Sequence, residues 1–281
     1  MEEKDIAIGR ISTMSNDAYH ASGGISRSAL MEFKKSPYHY WSRYISPLKR
    51  EIKTTPAMLM GEMVHTAVLE PQEYDNRYIR AFEGDRRTLA GKAAYASFVS
   101  VLHGRTIVKA EDYDLALEIG REVMKDEFIS PLIPECVIEE SIYWKNAATG
   151  LVCKARPDAR LDGLVVDLKT AENADYRHIQ TASIDRGYFL QAGMISLALR
   201  SIGVEMSHYV ICAVEKKYPF AVANYVLDES AILFGITQFN ELIEQYDKCL
   251  QADKWPGFAV KQLYVPKWAE NEELDDLEFD E

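Results

Sequence analysis

Apolar positions along the chain recur at three- and four-residue spacing in its first half and at two-residue spacing in its middle. Ser26 can cap a helix that runs through Leu30 and Phe33 and ends at Ser36-Pro37, because a residue preceding proline is pushed out of the helical region. Residues 57–70 place Met60, Val64, Ala67 and Val68 on one stripe, and residues 88–103 and 111–128 repeat the amphipathic pattern. Residues 137–145, 151–160 and 164–170 then alternate and are rich in β-branched and aromatic side chains. Residues 146–150 and the pair Asp162-Gly163 punctuate them, which predicts an antiparallel meander. A helix at about 187–202, strands at 207–215 and 220–227, and a last helix at about 229–250 complete the pattern. Strands set between helices predict an α/β or α+β domain with a central mixed sheet flanked by helices. Residues 1–24, polar and closing on Gly23-Gly24, read as a flexible arm. Residues 25–265 read as the folded domain, and 266–281 as an acidic, disordered tail.

With 281 residues and 47% hydrophobic composition, the chain can bury a sizeable core. It has no apolar run of membrane-spanning length, and the acidic Met1–Asp5 start lacks the apolar stretch of a secretory signal, so the expected location is the cytoplasm, with no membrane partner. Cysteines at 136, 153, 212 and 249 are too scattered for a zinc ribbon or a clustered iron–sulfur site. A net charge of −12 argues at first against a nucleic-acid partner. Residues 268–281, however, hold eight acids and no Lys or Arg, and without them 32 basic residues face 36 acidic ones. The body of the chain is therefore close to neutral.

The densest chemistry lies in Lys154-Ala155-Arg156-Pro157-Asp158-Ala159-Arg160-Leu161-Asp162-Gly163-Leu164-Val165-Val166-Asp167-Leu168-Lys169-Thr170. Residues two apart in a strand share a face, so Asp167 and Lys169 point one way while Val166 and Leu168 point the other way, into the core. Burying such charges is costly unless something pairs them. Asp158 precedes the tight turn at Asp162-Gly163, and a hairpin of this length brings it beside Asp167. Two carboxylates and an ammonium at one point suit a hard divalent cation. Mg²⁺ takes one or two carboxylates and leaves its other positions to water and substrate phosphate. The cation polarises the scissile phosphate and lowers the pKa of a bound water. Lys169 would orient or deprotonate that water, or stabilise charge developing on the phosphate. An isolated Asp-x-Lys triplet is as readily a structural ion pair. The Pro-Asp nine residues before Asp167, with Val165-Val166 leading into the triplet, favours chemistry. Gly61-Glu62-Met63-Val64-His65 sets His65 one turn after Gly61 on a predicted helix. A neutral His65 can ligate a metal, and Gly61 leaves room for close approach.

This combination resembles the PD-(D/E)xK nuclease superfamily, in the branch with a GxxxH helix shared by RecB-like nucleases and exonuclease VIII. Other stretches fit the exonuclease VIII type of phage and prophage recombination nuclease: Ile25-Ser26-Arg27-Ser28 leading to Ser36-Pro37, Thr149-Gly150, Tyr188-Phe189-Leu190-Gln191, and Ala213-Val214-Glu215-Lys216 with Pro219-Phe220. The resemblance spans roughly residues 25–250. It implies a restriction-endonuclease-like core in which Asp158 and Asp167 bind Mg²⁺, with Mn²⁺ able to substitute. The Leu168 carbonyl is then a further ligand, His65 completes the site and Lys169 is catalytic. It also implies a 5′→3′ exonuclease acting on double-stranded DNA ends, assembled as a cyclic homo-oligomer, whose single-stranded tails feed an annealing protein. The family's Gln-x-x-x-Tyr element maps to Gln191, but Ile195 stands at the tyrosine position; Tyr188, one turn before Gln191, can stand in.

By alternation Lys154, Arg156 and Arg160 share a strand face with Asp158 and can contact flanking phosphates. Glu140, near a predicted strand, is a further candidate for the site's surroundings. Arg86, Arg87 and Lys92 form a basic group at a helix start, and the Ser26–Ser28 stretch is another place for a phosphate. Tyr38, His39, Tyr40, Trp41 and Tyr44 either pack on the core or stack on unpaired bases. No groove-reading motif is present, which favours cleavage without sequence preference. Two alternatives keep the fold: a nuclease of a CRISPR-adaptation or other defence system, and a DNA-binding subunit that has lost catalysis. The presence of all four of Asp158, Asp167, Lys169 and His65 speaks against the second.

Overall fold

The computed structural model describes residues 7–12, 14–48 and 54–266. Strand β1 (Gly9–Ile11) is followed by helices α1 (Asn16–Ala21), α2 (Arg27–Lys35) and α3 (Pro37–Tyr40), the last continuing into a π-helical turn at Trp41–Ile45. Next come α4 (Pro56–Leu69), α5 (Tyr74–Arg77), β2 (Tyr78–Arg80), α6 (Leu89–Ser100), β3 (Thr106–Val108) and α7 (Ala110–Val123). The central run is β4 (Val137–Ile138), β5 (Ser141–Lys145), β6 (Val152–Ala155), β7 (Ala159–Leu161) and β8 (Leu164–Ala171). Helices α8 (Tyr176–Asp185) and α9 (Tyr188–Ser201), strands β9 (His208–Glu215) and β10 (Val222–Val226), and α10 (Glu229–Ala252) close the order.

The main sheet has the order β10-β9-β8-β7-β4 and is mixed: β8 and β9 run parallel, and the other neighbours antiparallel. Strands β1, β5 and β6 form a second, antiparallel sheet, and β2 pairs with β3 in parallel. Both faces of the main sheet are covered, which is why β9 reads as an apolar run from Tyr209 to Val214 and β8 opens on Leu164, Val165 and Val166. On one face, Val166, Leu168 and Val210 pack with Met63 and Val64 of α4 and Ile119 of α7. On the other, Val165, Tyr209 and Ile211 pack with Leu30 of α2, Leu190 and Met194 of α9, and Phe239 and Ile243 of α10.

Two predicted strands are each divided in two. The 137–145 stretch breaks at Glu139, whose φ of +48° lies in the left-handed region, and the 151–160 stretch breaks at 156–158. Pro157 has no N–H to donate to a ladder, so the interruption falls there. The breaks lie side by side, since Glu139 N–H donates to the Asp158 carbonyl at 3.0 Å. The expected meander is thus split between two sheets. The β7–β8 turn is the predicted one: Leu161 pairs with Leu164, and Asp162 has φ +47°. A Cβ on Gly163 would lie 2.3 Å from the Glu205 carbonyl, so only glycine fits under the segment that leads into β9.

The expectation of a flexible arm over residues 1–24 is corrected for its described part. Strand β1 pairs with β5, and Lys154 Nζ donates to the carbonyls of Tyr19 (2.6 Å) and Ser22 (2.8 Å), pinning α1 to β6. Residues 1–6 and the acidic stretch from 267 onward lie outside the described residues. Among the described residues, no helix is long and apolar enough to cross a membrane.

Candidate active site

The site forms where β7 stops and leaves β8 without a partner on that side. Continuing the register would set Pro157 opposite Leu168. Instead the Asp158 carboxylate turns in, and its Oδ2 accepts from Leu168 N–H at 2.9 Å. The strand break is therefore what frees Asp158 to reach β8 with its side chain. Because the sheet opens here, groups from both of its faces can meet. From the α4 side, His65 Nε2 lies 2.7 Å from the Leu168 carbonyl and donates to it, while Nδ1 is 3.8 Å from Asp158 Oδ2. From the α9 side, Gln191 Nε2 donates to Asp167 Oδ1 at 2.7 Å. Lys169 Nζ sits 2.6 Å from Asp167 Oδ2 and 5.2 Å from the centre of the Tyr188 ring. Arg27, at the start of α2, donates to Gln191 Oε1 at 3.2 Å and to the Arg186 carbonyl at 3.1 Å. Arg27, Gln191, Asp167 and Lys169 thus form one polar chain.

The electrostatics are set by burial. Asp167 is fully buried, and loss of water pushes its carboxyl above the usual carboxylate range, with the Lys169 ammonium opposing. Burial likewise raises Glu139, against the pull of Arg156. The Tyr209 hydroxyl, buried on β9, is raised well above the ordinary phenol value by burial and then by the Asp167 charge.

The structure brings Asp158, Asp167, Leu168, Lys169, His65, Gln191 and Tyr188 together. It does not bring Lys154, Arg156, Arg160 or Glu140 to the same surface, which corrects the alternation argument. Alternation holds only along one continuous strand. The break at 156–158 sends Lys154 to the N-terminal segment, and Arg156 donates to Ser141 Oγ (2.7 Å) and the Met14 carbonyl (2.7 Å). Arg160 and Glu140 bury an ion pair at 2.8 Å. Ile195, at the position where a tyrosine was sought, is 1% exposed and belongs to the core. A Cβ on Gly61 would have only Thr170 Oγ1 within 4 Å, at 3.5 Å, so no protein group requires glycine there; the space it leaves faces β8. Arg27 as the support of Gln191, Glu139 as the neighbour of Asp158, and Tyr209 beside Asp167 were not legible in the sequence. Each depends on a contact between elements far apart in the chain.

The donor set fits a hard divalent cation. Asp158, Asp167, the Leu168 carbonyl and His65 supply three oxygen ligands and an imidazole. Asp167 Oδ2 is buried without a hydrogen bond among the described residues, with the Lys169 ammonium 2.6 Å away, which leaves a lone-pair direction for a cation. Among the described residues, no three His, Cys, Asp or Glu side chains already stand in ligating geometry. One donor of this set is a backbone carbonyl, and His65 and Lys169 are closed onto the acceptors.

Comparison with known proteins assigns the class. The family described as "PDDEXK-like domain of unknown function (DUF3799)" matches residues 26–265, and the chain belongs to it. Its mixed α+β architecture is accordingly the restriction-endonuclease-like fold of PD-(D/E)xK nucleases. The crystal structure of a Eubacterium rectale protein named "Putative exonuclease" superposes with a TM-score of 0.61 at 13% identity, covering 90% of this chain and 96% of that one. That likeness is one of fold. The crystal structure of SSO0001 matches with a TM-score of 0.29 at 16% identity, over 78% of this chain and 86% of that one, and carries no argument. No curated protein matches the chain by sequence.

Proposed function

We propose that this protein is a divalent-metal-dependent deoxyribonuclease that degrades double-stranded DNA from its ends, 5′→3′, leaving single-stranded tails for an annealing protein. One observation carries the nuclease reading: Asp158, Asp167, the Leu168 carbonyl, His65 and Lys169, drawn from three elements, converge on the open end of a PD-(D/E)xK sheet. Asp158, Asp167, the Leu168 carbonyl and His65 would hold Mg²⁺ or Mn²⁺. When bound, the cation supplies Lewis-acid polarisation of the phosphate and an acidified water. Lys169 is positioned by Asp167 to hold or accept a proton from the attacking water, and the Tyr188 ring covers one side of its ammonium. Gln191, buttressed by Arg27, holds Asp167 in one orientation. The 5′→3′ direction, the annealing partner and a cyclic homo-oligomer around the duplex rest on the sequence resemblance to exonuclease VIII.

The test is digestion of linear duplex labelled at either end, with Mg²⁺ or EDTA. We expect metal-dependent loss of one label first, and a fall of about 10²–10⁴-fold in rate for Lys169→Ala and Asp167→Ala. Absence of metal-dependent digestion, or variants as fast as wild type, would sink the reading. Covalently closed circular duplex should resist, and sedimentation should give a closed oligomer rather than a monomer.

A further inference from the structure

We infer that the surface around Phe258, away from the metal-site residues, binds a single nucleic-acid strand; this extends the nuclease reading by giving the strand a path. After α10 the chain runs as an extended strap. Trp255 stacks on Tyr40 (5.5 Å, 22°), and Tyr38 N–H donates to the Pro256 carbonyl at 3.0 Å. So anchored, the strap holds Phe258 out in solvent, 80% exposed, with its ring 5.5 Å from His39. Tyr38, 53% exposed, stacks on Trp41 at 5.8 Å and 19°. A groove lies on each side of Phe258, of about 730 and 660 Å³, and Ser36, Gly257 and Phe258 line both. Lys34, Lys35 and Lys261 line the first, and His39 and Arg43 the second.

Charge decides the occupant. In a chain with 44 acidic and 32 basic residues, no acidic residue lines either groove among the described residues. The neighbouring Glu32 is neutralised by both Lys35 (2.8 Å) and Arg43 (2.6 Å). Flat aromatic faces flanked by cations are what a strand with unpaired bases and a phosphate backbone needs. Among the described lining residues, a protein partner would find no anion to meet its own cations. Helix α2 spans from the site to the first groove. Arg27 and Lys34 stand seven residues apart on α2, hence on one face of it and about 10 Å apart along the axis. Arg27 holds Gln191 at the site, and Lys34 lines the groove. That span is roughly three nucleotide steps of about 3.4 Å.

The test is fluorescence anisotropy of the full chain with a labelled oligothymidylate of about 20 nucleotides, in EDTA so that nothing is cut. We expect Phe258→Ala to weaken binding at least ~10-fold. Lys34→Ala with Lys261→Ala should reduce the slope of log affinity against log salt by about 1.4. These side chains are exposed, and unchanged thermal unfolding will show that the variants fold. The inference is overturned if wild type binds no oligonucleotide, or if both variants bind as wild type does. It is also overturned if Phe258→Ala changes the sedimentation coefficient while strand affinity stays put, because the face then belongs to a second copy of the chain. Binding without duplex digestion would sink the nuclease reading alone, and digestion without strand binding would sink this inference alone.

Discussion

Glu140 and Arg160 bury opposite charges against each other with 3% and 7% of their side chains exposed. Removing one partner strands the other charge away from water. Glu140→Ala should therefore cost about 3–5 kcal/mol of stability, read by urea denaturation, and a loss under about 1 kcal/mol would mean the pair is not structural. Lys154 is buried as well. Burial, then the nearby Arg156, pushes its ammonium down to about 8. The native state gives up this proton before the unfolded chain does. The charged form thus costs stability below about pH 8, and the cost fades as pH rises from there to the ordinary lysine range. Lys154→Met should abolish that gain, so the stability gap between variant and wild type should widen from pH 8 to 10. A gap independent of pH would contradict the assignment. At pH 7 the variant should also lose about 3 kcal/mol, since it leaves the Tyr19 and Ser22 carbonyls without their charged donor.

At the scale of elements, helices α9 and α10 cross where Gly193 meets Gly235. A Cβ on Gly235 would fall 1.8 Å from the Phe189 carbonyl, and one on Gly193 would fall 2.4 Å from the Gly235 backbone. No flexible side-chain end could move aside, so the helices would have to separate. Gly235→Ala should destabilise by about 3 kcal/mol and reduce activity by moving Gln191, which sits on α9 between Phe189 and Gly193. A variant with wild-type thermal unfolding would refute this close crossing. The paired strand breaks at 139 and 156–158 have the opposite character. They forgo ladder hydrogen bonds and leave Leu168 N–H to the Asp158 carboxylate.

For the whole molecule, the proposed function predicts that the site ties stability to metal. Its two carboxylates and imidazole come from the strand pair and from α4, so a cation held by all of them binds only the folded state. At about 100 times its dissociation constant it should add about 2.7 kcal/mol, a rise of about 5 °C in Tm for a chain of this size. Calorimetry with Mn²⁺ or Mg²⁺ checks this, and Asp167→Ala and His65→Ala should lose the rise. An equal rise in the variants would place the metal elsewhere.

The sequence by itself determined most of the longer helices and strands and the chemical triplet. Strand alternation sets Asp167 and Lys169 on one face, a two-residue turn returns Asp158 toward them, and helical spacing sets His65 one turn after Gly61; all are local regularities of the backbone. Tertiary structure alone decided which cations face outward. Lys154, Arg156 and Arg160 look like a phosphate-binding row only while 151–160 is taken as one strand. Pro157 ends the ladder, and from there each guanidinium or ammonium is claimed by carbonyls or carboxylates of distant segments. The same holds for Arg27, Tyr209 and the Phe258 surface. Their surroundings are assembled from elements far apart in the chain, and no local period encodes such a meeting.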